Sequence, residues 1–270
     1  MGELTDEPDH VGAFAAGAAK FAELDEAVWD PISTATLVRT RPKFDELVLD
    51  ACSGDGASAL PAAELVGPGG LVDAVDLAEE LIGLARARAG DRLPQLRLHV
   101  ADVTSWEPTG YDLVQCVLGV FFFADMDAGT RHLIERAKPG GRVGVTVWAR
   151  GALGSFLEAL TSALPGEHDD EHHSPAFEGI DTPGGLARWL TGLGLQRVRA
   201  DEARRHVEVS PDLAWSLVEG TAIRNAIAGL DDEEVAGVRE RFTARLEESP
   251  EARMLDLTTL IAVGYRPDAG

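Results

Sequence analysis

Three aspartates stand where chemistry would need them. Asp50 closes the apolar run "LVLD", Asp76 closes "VDAVD", and Asp102 follows "LRLHVA". After the first comes "ACSGDGAS", where Gly54 and Gly56 allow backbone angles that a side chain forbids. Such a loop lets a ligand come close, and the unpaired N–H groups of the helix behind it point into the same space. A carboxylate ahead of the loop favours a cationic or amine-bearing ligand and disfavours a pyrophosphate. A dinucleotide site would instead read G-x-G-x-x-G, with the pyrophosphate on the helix N-terminus; here the order is D-x-x-x-G-x-G. An acid at the tip of the second strand can accept both hydroxyls of a ribose. Asp102 can accept from an adenine amino group while Val103 packs on the ring. One acid at a strand tip is equally well a helix cap, but three around one loop point to a shared ligand.

The elements that must carry these residues alternate. Short apolar strands end at Asp50, at Asp76 and near Asp102, and two more are "YDLVQCVL" and, after a "KPGG" turn, "RVGVTVW". Helical segments at 57–66, 79–89 and 128–137 separate them. This rhythm predicts an α/β, Rossmann-like, doubly wound sheet covered on both faces. Residues 11–40 read as an N-terminal helical segment. After Trp148 come a helix, the long polar loop "PGEHDDEHHSPAFEGIDTPGG", further helices, an extended stretch at 196–209 and a final apolar strand. The expected sheet has seven strands, parallel except the last. No linker separates two cores, so 1–270 is read as one domain: a cap (1–44), a ligand-binding core (45–150), a lid with strand six (151–253) and a final strand (254–267).

Composition narrows the partners. The chain of 270 residues is 45% hydrophobic and 26% charged, which suits a globular core. Acids outnumber Lys and Arg by 46 to 24, giving a net charge of −22. Such a surface repels nucleic-acid phosphates and anionic membranes. No apolar run reaches the roughly 20 residues of a membrane span, and the acidic first ten residues are unlike a signal peptide. The expectation is a soluble cytoplasmic protein that binds neither nucleic acid nor membrane; a homodimer is left open. Two cysteines, Cys52 and Cys116, make no disulfide framework and are expected as free thiols.

Taken together, these motifs resemble those of the class I S-adenosylmethionine-dependent methyltransferases, nearest to small-molecule types such as ubiquinone/menaquinone and natural-product enzymes. "VLDACSGDG" is similar to the family's first motif, "VDAVDL" to its ribose motif, "ADV" to its adenine motif, "YDLVQCVLGVFFFAD" to its fourth-strand motif and "KPGGRVGVTVW" to the turn into strand five. The match runs over about 45–150. It implies S-adenosylmethionine as cofactor. It also implies that Asp50, Ala51, Cys52, Ser53 and Gly54 lie near the methionine portion, Asp76 and Leu77 at the ribose and adenine, Asp102 and Val103 at the adenine, and Cys116 and Val117 at the methyl end. Cys52 occupies the place of the family's first loop glycine, so the turn is bulkier here.

Methyl transfer from a sulfonium is an in-line displacement that asks mainly for alignment and a water-poor pocket; a base is needed only if the acceptor keeps its proton. The sequence names no base and no catalytic residue. Phe121, Phe122 and Phe123 either pack on the sheet or wall an apolar or aromatic acceptor. Trp29, Trp148 and Trp215 are candidates to enclose it, although core packing is the commoner role for Trp. His172, with His168 and His173 among acids, is a candidate acceptor contact. His168 and His172 have a helical metal-ligand spacing, but Pro165, Gly166 and Pro175 argue for a loop, and no metal is expected. His10 lies where the N-terminal segment can fold over the cofactor. The alternatives are a protein of this fold that binds S-adenosylmethionine without methylating and, against the missing dinucleotide motif, a nicotinamide oxidoreductase.

Overall fold

The computed structural model describes residues 9–166 and 179–268. In the first half, strands β1 (Leu47–Ala51), β2 (Leu71–Asp76), β3 (Leu96–Val100), β4 (Tyr111–Val117) and β5 (Ala137–Trp148) alternate with helices α3 (Ala59–Val66), α4 (Glu79–Ala89) and α5 (Met126–Arg136). Two earlier helices, α1 (His10–Ala22) and α2 (Asp30–Thr40), are joined by a π-helical turn at Asp25–Trp29. The second half adds α6 (Gly154–Ala163), α7 (Pro183–Gly192), β6 (Gln196–Ala203), β7 (His206–Glu208), α8 (Pro211–Gly220), α9 (Asp232–Glu248), α10 (Pro250–Arg253), β8 (Met254–Asp256) and β9 (Thr259–Tyr265).

The strand order β3-β2-β1-β4-β5-β9-β6 makes one seven-stranded sheet. Only β9 runs against its neighbours β5 and β6, as the sequence led one to expect. Order reverses between β1 and β4, and there the carboxyl ends open a crevice. β1, β2 and β4 are buried along nearly their whole length, the pattern of parallel strands covered on two faces. Leu49, Ala51, Val114 and Cys116 meet Leu133 of α5 and Leu186 of α7 on one face. Val48, Val72 and Leu113 meet Leu37, Ala63 and Ala85 of α2, α3 and α4 on the other. Because side chains alternate along a strand, Asp50 shares the second face.

Three details depart from the sequence reading. The "KPGG" turn lies inside β5: Ala137 pairs with Tyr111, pairing resumes at Arg142 with Leu113, and Gly140, at φ +71°, bulges between them and donates to the carbonyl of Arg266. The stretch expected as one final strand is divided, since Asp256 accepts from the Thr258 backbone N–H and turns the chain between β8 and β9. β8 then pairs with β7 in a separate two-stranded ribbon.

A third cluster lies above the strand tips, with Leu24, Val28 and Ile32 joined to Leu153, Phe156, Trp215 and Phe242. It fastens the N-terminal segment to α6, α8 and α9. Trp215 is enclosed there, stacked obliquely against Phe242, so it is core and not a site wall. Glycines let α1 and α8 cross tightly: a β-carbon on Gly17 would collide with the Glu219 carbonyl, and one on Gly220 with the backbone of Lys20 and Phe21.

Candidate active site

The crevice is a cavity of about 670 Å³. Its floor is the loop after β1. Cys52, Gly54 and Gly56 take φ of +54°, +55° and +89°, so three alternate positions need the left-handed region that favours glycine. Cys52 holds that conformation at a cost of about 1–2 kcal/mol. A β-carbon on Gly54 would stand 3.5 Å from the ring of Phe21, which comes down from α1 as a roof.

Asp76 organises this floor. Its two oxygens accept from the backbone N–H of Gly54 at 2.8 Å and of Ala78 at 2.9 Å, joining the first loop to the turn after β2. Burial pushes its carboxyl above the ordinary range, and the backbone N–H groups pull the other way. Asp102 is exposed and caps a short helical turn, accepting from the backbone and hydroxyl of Thr104 at 2.8 and 2.7 Å. Asp50 is turned away. Its side chain has no exposure and lies on the α3 face, where Ser58 Oγ donates to Oδ2 at 2.6 Å. The other oxygen has no hydrogen-bond partner among the described residues. Burial raises this carboxyl to about 7, with the Ser58 hydrogen bond and the nearby Gln115 amide working against that shift.

The cavity wall contains Cys52, Ser53, Gly54, Asp76, Leu77, Asp102, Val103 and Val117 of the residues implied for the cofactor. Asp50, Ala51 and Cys116 lie behind it, with at most 1% exposure. The wall also contains Trp29, Phe121, Phe122 and Trp148; His172 lies outside the described residues, as do His168 and His173. Phe121 and Phe123 lie on the sheet core as well as on the wall, so packing and lining coincide there. Phe122 meets His10 and Phe14 of α1 at ring distances of 4.9 and 5.4 Å. Trp29 stacks on Phe21 at 4.7 Å and donates to its carbonyl at 3.0 Å.

Several wall residues escaped the sequence reading. Arg150, just past β5, is clamped to Asp181 by two hydrogen bonds of 2.6 and 3.0 Å. Asp181 had no local signal, since it is brought in from beyond α6. Asp55, hidden within the loop motif at 1% exposure, accepts from Arg88 of α4 at 2.7 Å. The same guanidinium reaches Asp25 at 2.8 Å and Asp30 at 3.2 Å, so it ties the N-terminal segment to the loop. One cation cannot hold three carboxylates fully ionised, and burial together with the hydrogen bond to Asp55 raises Asp25 to about 8. Arg88→Met should therefore destabilise the protein by about 3 kcal/mol at pH 7, because acids would be left without their cation. Urea unfolding measures this, and the deficit should shrink on acidification as the acids take up protons.

Sheet order, crevice and acid-lined glycine loop define a Rossmann-like protein that binds an adenosyl cofactor. Comparisons sharpen the class. Residues 48–141 match the methyltransferase domain family. The chain is 30% identical to nocamycin O-methyltransferase of Saccharothrix syringae over 68% of its own length and 70% of that protein's. It is 28% identical to aklanonic acid methyltransferase DauC of Streptomyces sp. strain C5, over 71% and 94%. Among solved structures, the [4+2]-cyclase SpnF shares the fold at TM-score 0.57 and 20% identity, over 91% of this chain and 85% of that one. The chain belongs to the class I S-adenosylmethionine-dependent methyltransferases. Its cofactor is S-adenosylmethionine and its acceptor a small molecule. The residues present fit that cofactor: Ser53 Oγ, on the loop and in the cavity wall, is a buried polar atom with no partner among the described residues.

Proposed function

We propose that the chain transfers the methyl group by in-line displacement to an apolar or aromatic metabolite of natural-product type, the whole chain working as one domain in the cytoplasm. The observation that carries this reading is the wall itself. Beyond the loop it is formed by Trp29, Ile32, Trp148, Leu153, Leu157, Leu217 and Ile223, side chains that hold a flat apolar molecule and exclude water.

The cofactor, when bound, supplies an electrophilic methyl on a sulfonium. Around it, the turn of the 52–54 backbone shapes the seat of the methionine portion and Ser53 Oγ holds it, with the Asp50 charge behind them attracting its ammonium. Asp76 accepts from the ribose hydroxyls. Leu77, half exposed on the wall, covers one face of the adenine, and Val103 with Asp102 meets the other side and edge. Val117 lines the methyl end, with Cys116 supporting it from below. Trp29, Phe121, Phe122 and Trp148 orient the acceptor, and His172 is a further acceptor contact. With net charge −22, a nucleic-acid acceptor is disfavoured.

A mass-spectrometric screen tests the acceptor. Polycyclic aromatic or other apolar metabolites should gain one methyl group when incubated with the protein and S-adenosylmethionine. Methylation confined to nucleic acids or highly charged compounds would overturn the reading. A second reading, a cofactor-binding protein that does not methylate, is favoured by the fold shared with a [4+2]-cyclase. It predicts S-adenosylmethionine binding by calorimetry with no methyl gain anywhere in the panel.

A further inference from the structure

Cys52 and Cys116 come together from two strand tips. Cys116 is the cross-strand partner of Ala51, and both its side chain and that of Cys52 lie on the α5 face of the sheet. The β4–α5 turn passes directly over them at Gly119. A β-carbon on that glycine would stand 2.8 Å from each sulfur and 2.5 Å from the Cys52 β-carbon. The two sulfurs thus converge on one point, and glycine is required at 119 because the thiols fill the space. Cys116 is buried and Cys52 partly so, and Cys52 also forms part of the cavity wall.

We infer that Cys52 and Cys116 form a covalent modification site, a dithiol whose two-electron oxidation closes a disulfide across the cofactor loop and weakens cofactor binding. This goes beyond the methyl-transfer reading and uses neither acceptor nor methyl group. In the reaction each thiol gives up its hydrogen, one S–S bond forms, and two electrons and two protons pass to the oxidant. A diazene oxidant becomes its hydrazine; hydrogen peroxide becomes two waters, and an organic hydroperoxide becomes an alcohol and one water. Cys52 lies one residue past the strand partner of Cys116 and both sulfurs converge at Gly119, which puts them within reach of such a bond, one that needs β-carbons about 3.8 Å apart. Forming it draws Cys52 toward β4, and the 52–54 backbone beside Asp76 moves with it. The hydrogen bond with Cys116, followed by burial, holds the Cys52 thiol well above its ordinary value, so closure is slow at neutral pH and speeds up in alkali. Bound S-adenosylmethionine covers Cys52 and protects the pair.

The test treats ligand-free full-length protein with diamide at pH 8, then alkylates it under denaturing conditions and measures intact mass. The reduced protein should take two alkyl groups. The oxidised monomer should take none and lose two hydrogens, and saturating S-adenosylmethionine should slow that change. Calorimetry should show cofactor affinity falling at least tenfold on oxidation and returning with dithiothreitol. Cys116→Ser should show the same affinity before and after diamide. Phenylarsine oxide, which bridges closely paired thiols, should bind the wild type one to one, a readout that needs no variant to fold. Two alkyl groups after diamide, disulfides only between chains, or unchanged affinity of the oxidised monomer would each overturn the proposal. Failure of the reduced protein to bind S-adenosylmethionine would instead count against the functional reading.

Discussion

Asp50→Asn should make the ligand-free protein more stable at pH 8, by about 4 kcal/mol, while weakening S-adenosylmethionine binding at least tenfold. The two effects have opposite signs because one buried group serves both. The Asp50 carboxyl has no solvent contact and a single donor at 2.6 Å, and its pKa is raised to about 7, against about 3.9 in an unfolded chain. A folded value above the unfolded one means the group favours the fold in its neutral form. That contribution is complete below about pH 4 and is lost as pH rises through 7. Above this window the wild type holds a charge in a dry place, at about 1.4 kcal/mol for each pKa unit of difference, and the amide removes it. Urea denaturation at pH 8, 7, 6 and 5 checks the sign: the gap between variant and wild type should be constant above 7 and narrow below. A gap independent of pH would mean the gain came from packing. The affinity loss tests the charge-to-ammonium attraction proposed for the loop. For the same reason, wild-type affinity should fall as pH drops below 7.

Asp76→Ala should cost more at the cofactor and less to the fold. Both carboxylate oxygens are engaged with backbone, at Gly54 and Ala78, so truncation removes the proposed ribose contact and frees the loop that shapes the floor. Hydrogen bonds to charged groups contribute about 1.5–3 kcal/mol each. Allowing for water taking over some of these roles, binding should weaken by about 2–4 kcal/mol, or roughly 30- to 1000-fold by the same conversion. Asp76→Asn keeps one acceptor and should fall between. Titration calorimetry decides the matter, and wild-type affinity in Asp76→Ala would show that this acid holds neither ribose nor loop.

Much of the scaffold could be read in advance because its signals are local. Apolar runs such as "LVLD" and "LVDAVD", each closing on an acid, announce buried parallel strands and the edge where a ligand sits. The resemblance then assigned Asp76, Leu77 and Val103 to positions that form part of the cavity wall. Direction along a strand was harder. Asp50 and Ala51 are adjacent in the chain yet face opposite sides, and the alternation that sends Asp50 toward Ser58 is certain only once the register with Gln115 is known. The partners of Asp55 were beyond reach, for Arg88 and Asp25 approach it from different helices and nothing in their own neighbourhoods marks them. Arg150 and Asp181 meet for the same kind of reason. Gly140 misled in a subtler way: a glycine that reads as a turn also serves as a bulge when an antiparallel neighbour offers the Arg266 carbonyl.

The bare crossing of α1 and α8, glycine against backbone on both sides, leaves the two covers no room to slide past each other. Roof and lid are therefore locked to each other at that crossing, and one could open only with the other. An exhausted cofactor under the first and a methylated product under the second would leave by the same opening event, so turnover would have a single exit step.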